Sequence, residues 1–199
     1  MLKKIGILSI VAGVLVLSAC SSKLTGTVTR FHQLPEPRGE HVEVAAMTPQ
    51  LQNSIEFSQY ANMIGARLGQ YGYQPPGNAP SELIARIGYG ARPVSSVGYE
   101  EGSSAAVSVG TGSHGSHFGL GVSFPLGERQ PRQDYVYGLS LDIIRRSDGM
   151  KLYEGQVSIR RTDSSMAEMM PYLIDALFQN FPGPSGTSER VKVDRRTPP

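Results

Sequence analysis

Cys20, the one cysteine of the chain, ends the run Leu17-Ser18-Ala19-Cys20 directly behind an apolar stretch. A thiol in that setting, preceded by small residues, is an acceptor for a diacylglycerol. Cleavage before Cys20 then frees an amine that takes a further acyl chain. The approach to it has the required form. Met1-Leu2-Lys3-Lys4 is a short positive segment, and Ile5 to Leu17 is apolar apart from Gly6, Ser9 and Gly13. That stretch is too short to span about 30 Å of hydrocarbon, which needs roughly twenty apolar residues. Residues 1–19 therefore read as a lipoprotein signal peptide, with the mature chain beginning at a palmitate-bearing Cys20. Ser21 and Ser22 stand where an aspartate commonly holds lipoproteins in the inner membrane. The expected address is thus the periplasmic face of the outer membrane, with the inner membrane less favoured.

The other residues that could carry chemistry cluster in a glycine-rich stretch. Gly110-Thr111-Gly112-Ser113-His114-Gly115 has G-x-G-x-x-G spacing, but a dinucleotide site needs a helix to begin at those glycines. Here an alternating β pattern continues to Phe124. His114 and His117 could ligate a metal, with His32 or His41 as a third nitrogen, yet no carboxylate lies near them in sequence. Ser113 beside His114 suggests hydrolysis, but the G-x-S-x-G elbow is one residue short. The carboxylates Glu100, Glu101, Asp134, Asp142, Glu154 and Asp163 are scattered. The expectation is that no residue is catalytic, binds a cofactor or holds a metal. The alternative is a periplasmic hydrolase or metal-dependent enzyme using Ser113–His117.

Arg145, Arg146, Arg160 and Arg161, with Lys151, form a second group. Lipid phosphate or a partner's carboxylate could answer such charge, although hairpin tips are often charged simply for solubility. Together with the glycine-rich arm they suggest a partner surface of His114, His117, Leu120, Arg145 and Lys151. Its partner would be an envelope protein or a second copy of the chain.

Composition narrows the remaining classes. The mature chain has about 180 residues, one domain's worth. With Cys20 acylated no thiol is left for a disulfide or a cysteine metal site. Lys3 and Lys4 account for the whole formal net charge of +2, so the mature domain is nearly neutral. Nucleic-acid binders are usually clearly basic, so that class is excluded.

The elements that must position these residues follow from periodicity. Leu24 to His32 alternates, with Thr25, Thr27, Thr29 and Phe31 on one side, and reads as a strand. Prolines at Pro35 and Pro37 end it. His41 to Met47 reads as a second strand. Thr48-Pro49 then signals a helix start, followed by an apolar stripe of Leu51, Ile55, Tyr60, Ile64, Leu68 and Tyr71. Ser81 to Val94 reads as a strand. Residues from about 99 to 127 read as a hairpin with one face nearly bare of side chains, a surface that invites pairing with another chain or among several copies.

The second hairpin fixes its own register. Tyr135, Tyr137, Leu139, Leu141 and Ile143 are odd-numbered, as are Tyr153, Val157 and Ile159. A two-residue loop at Asp148-Gly149 would set each apolar residue against a polar one. A three-residue loop, Ser147 to Gly149, pairs Ile143 with Tyr153, Leu139 with Val157 and Tyr137 with Ile159. It also places Gly149 in the left-handed region and Arg145 opposite Lys151, a like-charge pair. A last helix runs from about Ser165 to Gln179, opened by Ser165 and Glu168 at capping-box spacing. Its stripe is Met170, Leu173, Ile174, Leu177 and Phe178, and Pro171 predicts a kink or a later start. The polar tail, 184–199, is expected to be disordered. The fold class is therefore α+β: one domain (20–183) with a largely antiparallel or mixed sheet, two amphipathic helices packed on it, and a glycine-rich hairpin insert.

A lipobox comes first, then an early strand and a helix ending in Leu68-Gly-Gln-Tyr-Gly-Tyr73. A glycine-rich insert follows, and then a segment ending in Ala176-Leu-Phe-Gln-Asn-Phe-Pro-Gly183. In that order they resemble the bacterial lipoproteins carrying domain of unknown function 4136, over roughly Leu24 to Gly183. Ser81-Glu82-Leu83-Ile84-Ala85 departs from the pattern, which would have an aspartate leading into the strand. The resemblance implies an α+β domain at the envelope and supplies no activity. The resulting expectation is a membrane-anchored, non-catalytic binding or assembly component.

Overall fold

The computed structural model describes residues 23–94 and 133–194. Cys20 and the expected hairpin about 99–127, with Ser113, His114, His117 and Leu120, lie outside the described residues.

Among the described residues six strands form one mixed sheet: β1 (Lys23–His32), β2 (Val42–Ala46), β3 (Leu83–Pro93), β4 (Asp134–Arg145), β5 (Lys151–Thr162) and β6 (Thr187–Asp194). Their order across the sheet is β2-β3-β4-β5-β1-β6. Only β2 and β3 run parallel; every other neighbouring pair is antiparallel. Two helices, α1 (Ile55–Gln70) and α2 (Met166–Phe178), cover one face. The fold class read from the sequence is the one observed, a single α+β domain.

Alternation decides which face is covered. Tyr137, Leu139, Leu141 and Ile143 of β4 meet Tyr153, Val157 and Ile159 of β5 on the buried side. In β1 the buried phase is Leu24, Val28 and Arg30, while Thr25, Thr27 and Phe31 face solvent. Burying each large aliphatic side chain contributes about 1.5–3 kcal/mol, so a one-residue slip in register would expose a whole row of them.

The β4–β5 register is the predicted one, Ile143 with Tyr153, Leu139 with Val157 and Tyr137 with Ile159. The loop differs from the three-residue form. The amide of Arg145 donates to Met150 O at 2.9 Å and that of Gly149 to Arg145 O at 2.9 Å, so the turn spans Arg146 to Gly149. A turn of even length would by itself set apolar against polar. The register then shifts beside Ile143 and Ile144, leaving Leu152 as an extra residue that restores the match. Because of this bulge, the consecutive residues Leu152 and Tyr153 are both buried. Gly149 does take the left-handed conformation, at φ +71°. Arg145 is not opposite Lys151, because Lys151 stands across from Ile144.

The first helix begins later than Thr48-Pro49 suggested. Pro49–Leu51 make only a short 3-10 turn, and α1 starts after Ser54, whose hydroxyl accepts from the Phe57 amide at 3.0 Å. The buried stripe is Phe57, Tyr60, Ile64 and Leu68, while Ile55 is 81% exposed. Gly72, at φ +96°, ends the helix as the Tyr73 amide returns to Leu68 O. The predicted capping box opens α2, with Ser165 Oγ accepting from the Glu168 amide and Glu168 accepting from the Ser165 amide. The helix runs through Pro171, which removes only the bond its absent N–H would have made. Phe178, Phe181 and Tyr71 then stack together under the sheet.

The expectation of a disordered tail from 184 onward does not hold over its described part. Thr187–Asp194 form β6, paired along β1 from Arg30↔Thr187 to Lys23↔Asp194, with Val191 and Val193 buried. The backbone ladder of β1 supplies what the segment's modest apolar content lacks.

Candidate functional site

Turns at one end of the sheet leave a cleft of about 420 Å³. Its walls come from the loop after β1 (Leu34, Pro35), the turn after α1 (Tyr73) and the starts of β3 and β5 (Leu83, Leu152). The bulge puts Leu152 there, since without the extra residue Leu152 would face solvent beside Glu154. Glu40, Glu82, Arg145 and Arg146 form the charged rim.

The rim charges are already met. Arg146 Nε donates to Ser81 O at 2.7 Å, and its Nη2 pairs with Glu43. Arg145 pairs with Asp148 at 2.8 Å. Glu82 accepts from the backbone amide of His41 at 2.8 Å; its own amide and that of His41 hold its carboxyl below the usual range. Ser81-Glu82, which departs from the family's pattern in sequence, is thus where β2, β3 and the β4–β5 turn are tied together.

The interior is less completely satisfied. Tyr73 is buried, and its hydroxyl has no partner among the described residues. Burial pushes its ionisation up to about 12, with Glu40 adding to the shift. A buried hydroxyl without a partner costs about 1–3 kcal/mol. The cleft is therefore lined largely by apolar side chains, with an unpartnered hydroxyl buried in its wall, an arrangement that suits an apolar group.

A consequence for stability follows from the sign of that shift. The folded state holds the Tyr73 proton more tightly than the unfolded chain, whose value is 10.0. Stability is therefore fully present below pH 10 and declines as pH rises through about 12. In Tyr73→Phe we expect the urea midpoint at pH 7 to hold or rise, because no bond is lost. The fall between pH 7 and pH 11.5 should also be shallower than in the parent. A clear drop at pH 7 would mean that the hydroxyl has a partner.

Of the expected partner surface, Arg145 lies on the cleft rim and Lys151 on the opposite, solvent-facing side. Lys151 Nζ sits between Asp142 at 3.0 Å and Glu154 at 2.9 Å. Partial burial opposes its charge, but the two carboxylates outweigh this and raise its ionisation. No uncompensated cation pair exists there to demand an anion. Arg160 and Arg161 are at the other end of β5, with Arg160 held by Asp134 at 2.7 Å, so the five-residue basic group is split by the length of the hairpin. Among the described residues no three His, Cys, Asp or Glu side chains come together as metal ligands. His32 Nε2 bonds Gly183 O at 2.7 Å and His41 lies beside Glu82, so the two are engaged separately. Sequence reasoning missed Tyr73, Leu34 and Leu152. The bulge that makes Leu152 part of the cleft left no mark in the hydrophobic pattern.

Comparison with known proteins gives three results. No curated protein matches. Among solved structures, the chain is similar to a PelC dodecamer from Paraburkholderia phytofirmans, at 14% identity and TM-score 0.39, covering 75% of this chain and 91% of that one. A point variant of that protein gives 13% and 0.40 over the same shares. A PDZ domain protein from Parabacteroides distasonis gives 10% and 0.47, covering 87% of this chain and 40% of that one. The profile of the domain of unknown function DUF4136 matches residues 30–183.

Proposed function

This chain belongs to the DUF4136 family, and from that premise we propose that it is a lipid-anchored, non-catalytic binding component of the cell envelope, held at the periplasmic face of the outer membrane. The observation that carries the reading is the position of β1. It begins at Lys23, three positions after Cys20, and enters the sheet between β5 and β6. Three residues span at most about 10 Å, so an acylated Cys20 ties the body of the sheet closely to the bilayer. The cleft opens at the opposite end. Over the twelve residues of β4, at about 3.3 Å each, that end stands roughly 35–40 Å away. Anchored this way, the domain presents an apolar cleft to the periplasm, facing a partner rather than the lipid. The partner is another envelope protein or a second copy of the chain.

The test is metabolic labelling with palmitate in the native bacterium, followed by separation of inner and outer membranes. The parent should carry label and sediment with the outer membrane, and Cys20→Ala should carry none. An unlabelled parent would end the anchored reading. Photocrosslinking probes at Pro35 and Ser147, on the cleft rim, should then give a discrete adduct that Tyr73→Phe or Leu34→Glu weakens. If neither variant alters the adducts, the cleft is not the binding site.

A further inference from the structure

The face of the sheet that no described element covers has a basic margin, and it lies at the anchor end. Register places Arg92 of β3 beside Val136 of β4, and Val136 beside Arg160 of β5. Across β1, Thr25 stands beside Lys192 of β6, and Thr27 beside Arg190. These residues share the phase of Thr25 and Thr27, which face solvent, and all four cations are exposed. Adjacent strands are about 4.8 Å apart, so the cations form a strip across the sheet rather than a scatter.

The strip is only partly neutralised. Arg160 has Asp134, and Lys23 has Asp194 at 3.3 Å. Arg92, Arg190 and Lys192 form no ion pair among the described residues, so five cations stand against two carboxylates. Asp163 and Glu168 are at the same end, but Glu168 caps α2 on the covered side and Asp163 accepts from the Gln133 amide. The cleft end of the same face is different, since there Arg86, Lys151 and Arg146 each have a carboxylate.

Building on the anchored reading, we propose that this strip of Arg92, Arg160, Arg190 and Lys192 docks on the anionic phospholipid headgroups beside the anchor, leaning the open face of the sheet toward the bilayer. Headgroup phosphates match the strip in charge, and the anchor holds them within reach of it. The electrostatic contact adds to acyl anchoring and fixes orientation, which flexible acyl chains alone do not.

Cys20 is the only cysteine and its thiol is acylated, so an introduced cysteine is labelled alone. The test uses the full acylated protein in phosphatidylglycerol or phosphatidylcholine vesicles, with a fluorophore at Thr27→Cys or, as a control, Ser147→Cys. Lipids bearing a nitroxide headgroup supply the quencher. In phosphatidylglycerol we expect the Thr27 label to be quenched several-fold more than the Ser147 label. That quenching should fall by about half or more in phosphatidylcholine, in 0.5 M salt, or in the triple variant R92Q/R190Q/K192Q. Flotation with the vesicles but quenching indifferent to lipid charge, salt and the triple variant would overturn the proposal alone. Failure to float would overturn the anchored reading, and this proposal with it.

Discussion

Arg30→Ala is expected to cost the domain about 3–5 kcal/mol, a large share of the roughly 5–15 kcal/mol by which domains of this size are stable. Arg30 is 1% exposed near the C-terminal end of β1. Its Nη2 donates to Leu177 O at 3.1 Å and to Gln179 O at 2.8 Å, and its Nη1 pairs with Glu189 of β6. One carbonyl belongs to the last turn of α2 and the other to its C-cap, and neither has an intrahelical donor. A cation there also opposes the negative end of the helix dipole. One guanidinium thus joins β1, β6 and α2, and alanine would strand two carbonyls and a carboxylate together. Lysine should recover only part of the loss, because a single ammonium cannot reproduce the planar fork. Urea unfolding of the three proteins decides the matter. A loss under 1 kcal/mol in Arg30→Ala would mean that water satisfies those carbonyls readily.

Gly155→Ala should also be damaging, although it adds a single methyl group. Gly155 lies in β5 two positions after Tyr153, on the same face, and the ring of Tyr153 lies over it. A Cβ at Gly155 would stand 2.5 Å from Tyr153 Oη and 2.6 Å from Cε1. Tyr153 is fully buried and packed against Phe181, with ring centroids 4.9 Å apart, so the ring has little room to yield. Overpacking of this kind costs about 1–3 kcal/mol. Shortening the ring by Tyr153→Leu should make the alanine nearly harmless, although Tyr153→Leu is itself costly. The coupling between the two substitutions in thermal unfolding is the measurement. Additive losses would show that the contact is relieved by backbone movement instead.

How much of this was legible in the sequence depended on where the determining force lay. The β4–β5 register was readable because a period of two and a row of large apolar residues admit one solution. The capping box of α2 was readable because Ser165 and Glu168 carry the signal locally. Arg30 was half readable: Thr25, Thr27 and Thr29 claimed the outward phase, which sends Arg30 inward with Leu24 and Val28. Its partners, at positions 177, 179 and 189, cannot be located from sequence. β6 was not readable, because a segment with two valines among charged residues becomes a strand only when β1 offers its edge. The cleft was the least legible feature, since it exists because a turn gained one residue and a bulge repaid it.

The placement of β1 also bears on when the domain can form. As the chain is made, β1 finds its two neighbours, β5 and β6, only beyond residue 150. Until those residues are made, β1 has neither ladder, and Arg30 has none of the groups it joins. Pairings this distant in sequence are slow to close. The sheet is therefore completed only after its last described strand, β6, arrives.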